Sequence, residues 1–281
     1  MVVLRFLKKH LLEFLKLIKM LEYLFYFLLI LNLLTIFFFN RKKIRKYFLN
    51  PEIKSVDIEK VGKSFLPISI DAKLKSPNND MIIKTFFAPD SWKVVGMTSD
   101  YEAWILSVLS KKSKNIFEFG TCSGKTTMLF ALNSPSDAKI YTITLDPKYI
   151  EKQIKKEICD NNVATRNAIS ESKYNNFMFS KNSVLKKKIK VIFNDSKKLN
   201  IKKFHDYFDL IFIDGGHSYS CIKNDTEKSM KMIKKNGYIL WHDYSLGKKS
   251  HKDVYRYLNE IKNNYEIFHI KNTSLCFYQK L

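Results

Sequence analysis

Cysteine is sparse and unpatterned. The four residues Cys122, Cys159, Cys221 and Cys276 form no CxxC pair and no regular spacing. That excludes a cysteine zinc site and a disulfide scaffold, and it fits a reducing compartment. Acidic residues are also few, 27 against 49 Lys and Arg, for a net charge of +22 in 281 residues. The first fifty residues carry +8 of this and the rest +14, mostly as lysine. Lysine, asparagine and isoleucine are used heavily along the whole chain. Charge therefore implies affinity for anionic surfaces in general, and by itself does not point to a nucleic-acid partner. No small-residue cleavage site comes after the single long apolar run, so a removable leader is not expected.

That run sits near the N-terminus. In residues 1–20 the charged Arg5, Lys8, Lys9, Glu13, Lys16 and Lys19 fall on one face at 100° per residue, with leucine and phenylalanine around the remainder. This pattern suits a basic amphipathic helix on an anionic membrane. Leu21 to Phe39 comes next, interrupted only by Glu22, Asn32 and Thr35. Its length is close to the roughly 20 residues of a spanning helix. The basic block Arg41, Lys42, Lys43, Arg45, Lys46 lies directly after it and disfavours translocation of the residues C-terminal to it. The expectation is an uncleaved anchor over 1–47, a Pro-punctuated linker and cap over 48–97, and a cytoplasm-facing domain over 98–281.

The chain holds only 8 glycines, and two of them, Gly120 and Gly124, fall in one turn. Ile116 to Phe119 reads as a buried strand and Thr126 to Leu132 as a helix, so IFEFGTCSG is a strand–turn–helix unit. Glycine there permits positive φ and close ligand approach to the backbone. Two nucleotide-type readings compete. Gly124-Lys125-Thr126 suggests a phosphate loop, but that loop needs four residues between its first glycine and Gly-Lys. Only Thr121, Cys122 and Ser123 intervene. The other reading is the acid-x-Gly-x-x-x-Gly turn, Glu118 to Gly124, that holds S-adenosylmethionine (SAM).

The rest of the domain alternates. Thr98 or Ser99 caps a helix through Trp104, Ile105 and Leu109. Lys139 to Leu145 is a second strand ending at Asp146, which is placed to accept hydrogen bonds from ribose hydroxyls. Pro147 to Ile158 suits a helix, and the polar stretch from Asp160 to Asn182 an inserted loop. Lys190 to Asn194 is a third strand, with Asp195 and Ser196 at its end where an adenine would lie. Phe208 to Ile213 is a fourth strand, ending in Asp214-Gly215-Gly216-His217. A helix over Ser218 to Lys235 stops at Asn236-Gly237. Tyr238 to Trp241 is a fifth strand, ending in His242-Asp243-Tyr244. A last helix, Ser250 to Asn263, precedes two closing strands. The pattern predicts an α/β fold with a doubly wound, mainly parallel seven-stranded sheet.

In such a sheet, ligands bind beyond the C-terminal strand ends. Glu118, Gly120, Asp146, Asp195, Asp214, His217 and Asp243 are all expected there. If the fourth and fifth strands are neighbours, about 4.8 Å apart, Asp214 and Asp243 face one point. Two carboxylates that close suit a divalent cation. His242, next to Asp243 on a strand, is expected to point away and be structural.

From Thr98 onward the chain resembles class I SAM-dependent methyltransferases, through Glu118-x-Gly120-x-x-x-Gly124 and Asp146. FIDGGHSY (Phe212 to Tyr219) and NGYILWHDY (Asn236 to Tyr244) are similar to the metal-dependent small-molecule O-methyltransferases of the catechol and macrolide-sugar type. The resemblance implies Glu118, Gly120, Gly124, Asp146, Asp195 and Ser196 at the SAM site, Asp214 and Asp243 on Mg²⁺ or a similar divalent cation, and His217 as general base. A further metal ligand, usual in the family, is not assigned. Tyr244 stands where catechol-type enzymes carry an amide. The Asn/Asp-Pro-Pro-aromatic motif of nucleic-acid amino-methyltransferases is absent after the fourth strand. The implied activity is methyl transfer to a hydroxyl of a small-molecule, sugar or lipid-linked acceptor. The alternatives are a phosphate-loop nucleotidase and a catalytically silent SAM-fold module at the membrane.

Overall fold

The computed structural model describes residues 2–48, 53–62, 83–84, 98–148, 150, 170–174, 176–247 and 249–281. The prolines at 51, 67, 77 and 89, the expected helix from Pro147 to Ile158 beyond residue 150, and the first part of the 160–182 loop lie outside them. The chain divides into two units, Met1–Glu52 and Ile53–Leu281.

The first unit is one helix, α1, Val2–Phe48. The sequence predicts a surface helix and then a separate spanning helix. The two are continuous because no proline or glycine interrupts this stretch. Within it, Leu15–Ile36 is 22 residues long with mean hydropathy 1.9 and its side chains exposed, which is long and apolar enough to cross a membrane.

The second unit is built on an eight-stranded sheet. Its strands are β1 Ser55–Val56, β2 Asn115–Phe119, β3 Lys139–Thr144, β4 Ile189–Phe193, β5 Phe208–Ile213, β6 Ile233–Trp241, β7 Phe268–Ile270 and β8 Cys276–Gln279. Their spatial order is β1-β7-β8-β6-β5-β2-β3-β4, and only the β6–β8 and β7–β8 pairs are antiparallel. The predicted seven strands become eight because Ser55–Val56, expected in the linker, pairs in parallel with β7. Strand order reverses at the β2/β5 boundary, the switch point where ligands bind in open α/β sheets.

Alternation along the strands separates two cores. Phe117, Phe119, Ile211, Ile213, Ile239 and Trp241 face one side, with helices α5 (Tyr219–Met232) and α6 (Lys252–Ile261) supplying Ile222, Met232, Val254 and Leu258. Ile116, Ile140, Leu210, Phe212 and Leu240 face the other. There α2 (Asp100–Ser110) supplies Ile105 and Leu106, α3 (Lys125–Asn133) Phe130 and Ala131, and α4 (Ser183–Lys188) Leu185. Burial on both faces is why these strands read as continuous apolar runs.

Asn236-Gly237 does not stop a helix, as its sequence suggests. Helix α5 ends at Met232, and β6 begins at Ile233 with extended dihedrals, φ −77° and ψ 134°. The Asn-Gly pair sits in a bulge of β6, where the register against β5 shifts between Phe208 and Leu210 and Asn236 takes φ 63°.

Candidate active site

The strand registers build the site's rim. Phe119 of β2 pairs with Ile213 of β5 and Ile143 of β3, and Ile213 pairs with Trp241 of β6. Gly120, Asp214 and His242 therefore leave three neighbouring strands at one level. Asp146 lies two residues beyond the end of β3, and Asp195 two beyond β4. All five stand at the C-terminal edge of the parallel strands.

Gly120 has φ +95°, and a Cβ there would stand 2.1 Å from the Asp214 carbonyl oxygen. The glycine thus lets the ends of β2 and β5 close on each other, a reason beyond ligand access. Gly124, at φ +80°, lies under the Phe179 ring, 2.8 Å from where its Cβ would be. Lys125 donates from Nζ to the Thr98 carbonyl at 2.7 Å. Its ammonium therefore ties α3 to the start of α2 and is committed away from the turn a phosphate loop would need.

Glu118 sits beneath the turn, 1% exposed. Thr127 of α3 and Thr142 of β3 both donate to its Oε2, the latter at 2.7 Å. Burial pushes its carboxyl up to about 8, with the charge of Asp214 adding, against the threonine hydrogen bonds. It is a neutral clamp on β2, β3 and α3 at neutral pH. Asp146 accepts from the Lys148 N–H through Oδ1, and its Oδ2 has no partner among the described residues. Asp195 caps a short turn through the Lys197 N–H at 2.9 Å, and Ser196 hydrogen-bonds inward to Asp225.

Above the switch point lies a cluster of carboxylates and imidazoles. His217 Nε2 is 3.0 Å from Asp243 Oδ2, and His251 Nε2 is 3.2 Å from Asp243 Oδ1. His242 Nδ1 is 2.9 Å from Asp214 Oδ1 and 3.5 Å from Asp243 Oδ1. Asp214 is the most open member at 24% exposed, against 4% for His242. Burial opposes charge on His217, but the hydrogen bond and charge of Asp243, with Asp214 and Glu171, outweigh it and raise its pKa. Burial likewise opposes charge on His242, and Asp214, Asp243 and Glu102 together hold it well above the ordinary histidine value. Burial would raise Asp243, but His217 and His242 overcome its desolvation and hold it below the carboxylate range. Two groups, His217/Asp243/His251 and Asp214/His242/Asp243, present ligand atoms within 4.8 Å of one another. This donor set fits a divalent cation.

The expectation that His242 faces away fails for a backbone reason. Alternation holds only while the strand lasts. β6 ends at Trp241, and Asp243 takes a left-handed φ of 63°, which lets Asp243 share a side with His242. Tyr244 turns into the core instead of the site. Its hydroxyl accepts from Asn259 Nδ2 at 3.0 Å and from the Ile53 N–H at 3.2 Å, and its ring stacks on Tyr255. Sequence reasoning missed Glu102, His251 and Glu171. Ser99-x-x-Glu102 is legible as a capping box, and the box forms. Nothing local shows that Glu102 also reaches the cluster.

A protein-family profile described as a methyltransferase domain matches residues 117–244, just under half of the chain. The matched segment lies within an α/β domain with a mixed, mostly parallel sheet and is similar to a methyltransferase domain. Several solved structures resemble it at low identity. The O-methyltransferase TomG from Streptomyces achromogenes, in complex with SAM, is 12% identical with a TM-score of 0.42, covering 66% of this chain and 82% of that one. The O-methyltransferase from Bacillus cereus, in complex with SAH, is 16% identical with a TM-score of 0.43, covering 65% and 82%. The SAH-bound methyltransferase PaMTH1 from Podospora anserina is 16% identical with a TM-score of 0.44, covering 66% and 79%. No curated protein matches the chain. At these identities the chemistry has to be read from this chain's own rim.

Proposed function

We propose that this chain is a membrane-anchored SAM-dependent O-methyltransferase that acts on a hydroxyl of a small-molecule or lipid-linked sugar acceptor. One observation carries the reading: at the switch point of the sheet, a glycine turn, a strand-end aspartate and an imidazole–carboxylate cluster meet on one rim. SAM supplies a methyl group made electrophilic by its sulfonium, and a divalent cation would hold the acceptor hydroxyl and lower its pKa.

The chain's own residues divide the remaining work. Gly120 and Gly124 shape the turn that receives the cofactor, and Glu118 holds that turn from below as a neutral acid. Asp146 offers Oδ2 to ribose hydroxyls. Asp195 and Ser196 close the adenine end. Asp214 and Asp243 hold the cation. His217 is oriented through Nε2 by Asp243 at 3.0 Å, which leaves Nδ1 to take the acceptor's proton. The basic block after the apolar helix supports a cytoplasmic face for the domain, and the anchor supports an acceptor presented at the membrane.

Transfer of a labelled methyl from SAM to components of a membrane extract tests this reading. The wild-type chain is expected to label an acceptor, and Asp214→Ala and His217→Ala to abolish the labelling. Equal labelling by all three would refute the assigned roles. The phosphate-loop alternative is disfavoured by the engagement of Lys125 with Thr98; under it, Lys125→Ala would abolish nucleotide turnover.

A further inference from the structure

We propose that His242 is the third protein ligand of the cation, held in its ligating tautomer by Glu102, and that the cation is a later first-row transition ion such as Fe²⁺, Co²⁺ or Zn²⁺ rather than Mg²⁺. This rests on the reading that Asp214 and Asp243 hold a cation, and it names the remaining ligand and the kind of metal.

The geometry of the three ligand atoms comes first. His242 Nδ1 stands 2.9 Å from Asp214 Oδ1 and 3.5 Å from Asp243 Oδ1, and all three atoms lie within 4.8 Å of one another. Bonds of about 2.0–2.2 Å to one ion put neighbouring ligand atoms roughly 3 Å apart. The cluster is already near that spacing. His242 is 4% exposed, so the ring is fixed by packing.

The other ring nitrogen supplies the second observation. His242 Nε2 faces Glu102 Oε2 at 3.5 Å. Glu102 is itself buried and clamped. Its Oε2 accepts from the Ser99 N–H and the Ser99 hydroxyl, both at 2.9 Å, and its Oε1 from the Ser274 N–H at 2.6 Å and hydroxyl at 2.8 Å. A clamped carboxylate behind an imidazole fixes the proton on the far nitrogen and aims the near lone pair at a metal. Helix capping alone would need Glu102 only at Ser99. Its approach to His242 and Ser274 ties α2, the end of β6 and the β7–β8 connection to one imidazole.

The donor chemistry then selects the ion. Mg²⁺ prefers oxygen ligands in near-ideal octahedral geometry, whereas imidazole suits the later first-row ions. His217 approaches Asp243 through Oδ2 at 3.0 Å and His251 through Oδ1 at 3.2 Å.

The test uses the full chain in detergent, stripped of metal and titrated with Co²⁺. Visible ligand-field bands report binding, and Mg²⁺ serves as competitor. The expected result is one tightly bound Co²⁺ that a hundredfold excess of Mg²⁺ leaves in place. His242→Gln and Glu102→Gln are each expected to weaken Co²⁺ by roughly 10–100-fold. If either variant fails to fold, electron spin-echo modulation of Mn²⁺ bound to the unaltered chain is expected to show an imidazole nitrogen, retained in His251→Gln. No Co²⁺ uptake, equal displacement by Mg²⁺, unchanged affinity in His242→Gln, or a nitrogen signal that vanishes in His251→Gln would each overturn the proposal. SAM binding measured on the same samples separates the outcomes: SAM bound without cation uptake ends this inference alone, and cation uptake without SAM ends the methyltransferase reading.

Discussion

Glu118 illustrates how a single buried acid couples the site to pH. Its folded-state value of about 8 lies above its ordinary 4.5, so the folded chain keeps a proton that the unfolded chain releases between those values. Stability from this group is fully present at low pH and declines as pH rises toward 8. Glu118→Gln removes one contributor. Denaturant unfolding of the variant should therefore show a shallower loss of stability between about pH 5 and 8 than the wild type; parallel curves would show that Glu118 is already ionised in the fold. His217 gives a kinetic prediction at the same scale. A positioned proton acceptor contributes about 10²–10⁴-fold to turnover; under the role proposed for it, His217→Ala should lose activity in that range and leave SAM affinity unchanged by calorimetry.

Among the elements, the strand–turn–helix at Gly120 is the least tolerant of change. Gly120→Ala puts a methyl group 2.1 Å from the Asp214 carbonyl oxygen at φ +95°, so β2 and β5 must part. A loss of at least about 2 kcal/mol is expected from denaturant titration. Gly215→Ala is the control, since its Cβ would meet nothing closer than 3.4 Å. At the start of α2, Ser99→Ala should cost about 1 kcal/mol of stability by loss of the cap. These elements are legible in the sequence because their signals are local: the apolar run Ile116 to Phe119 and the cap at Ser99. The beginning of β6 is not, because Lys234 to Gly237 is polar and its bulge depends on pairing with β5. The placement of His242 is hidden for the same kind of reason. Its side of the rim is set by the left-handed backbone at Asp243, and no periodicity encodes that. The rim residues Asp146, Asp214 and Asp243 are legible because strand ends are fixed by topology, while Glu102 and His251 reach the cluster only through tertiary packing.

On the scale of the whole molecule, two units divide the labour. One is a helix with a 22-residue apolar stretch, and the other is an α/β domain with its polar cluster at the sheet's switch point. The anchor reading predicts that the full chain stays with membranes through alkaline carbonate extraction, and that a chain lacking residues 1–47 does not. Recovery of the full chain in the soluble fraction would remove the anchor and, with it, the case for a membrane-presented acceptor. The domain reading is tested more directly by ligand choice. Calorimetric titration of the detergent-solubilised chain with SAM and, separately, with ATP is that measurement. SAM is expected to bind at one site, with affinity falling at least about tenfold in Asp146→Ala as a charge-assisted hydrogen bond is lost, and ATP to give no heat. Saturable ATP binding with no response to SAM would contradict the assignment.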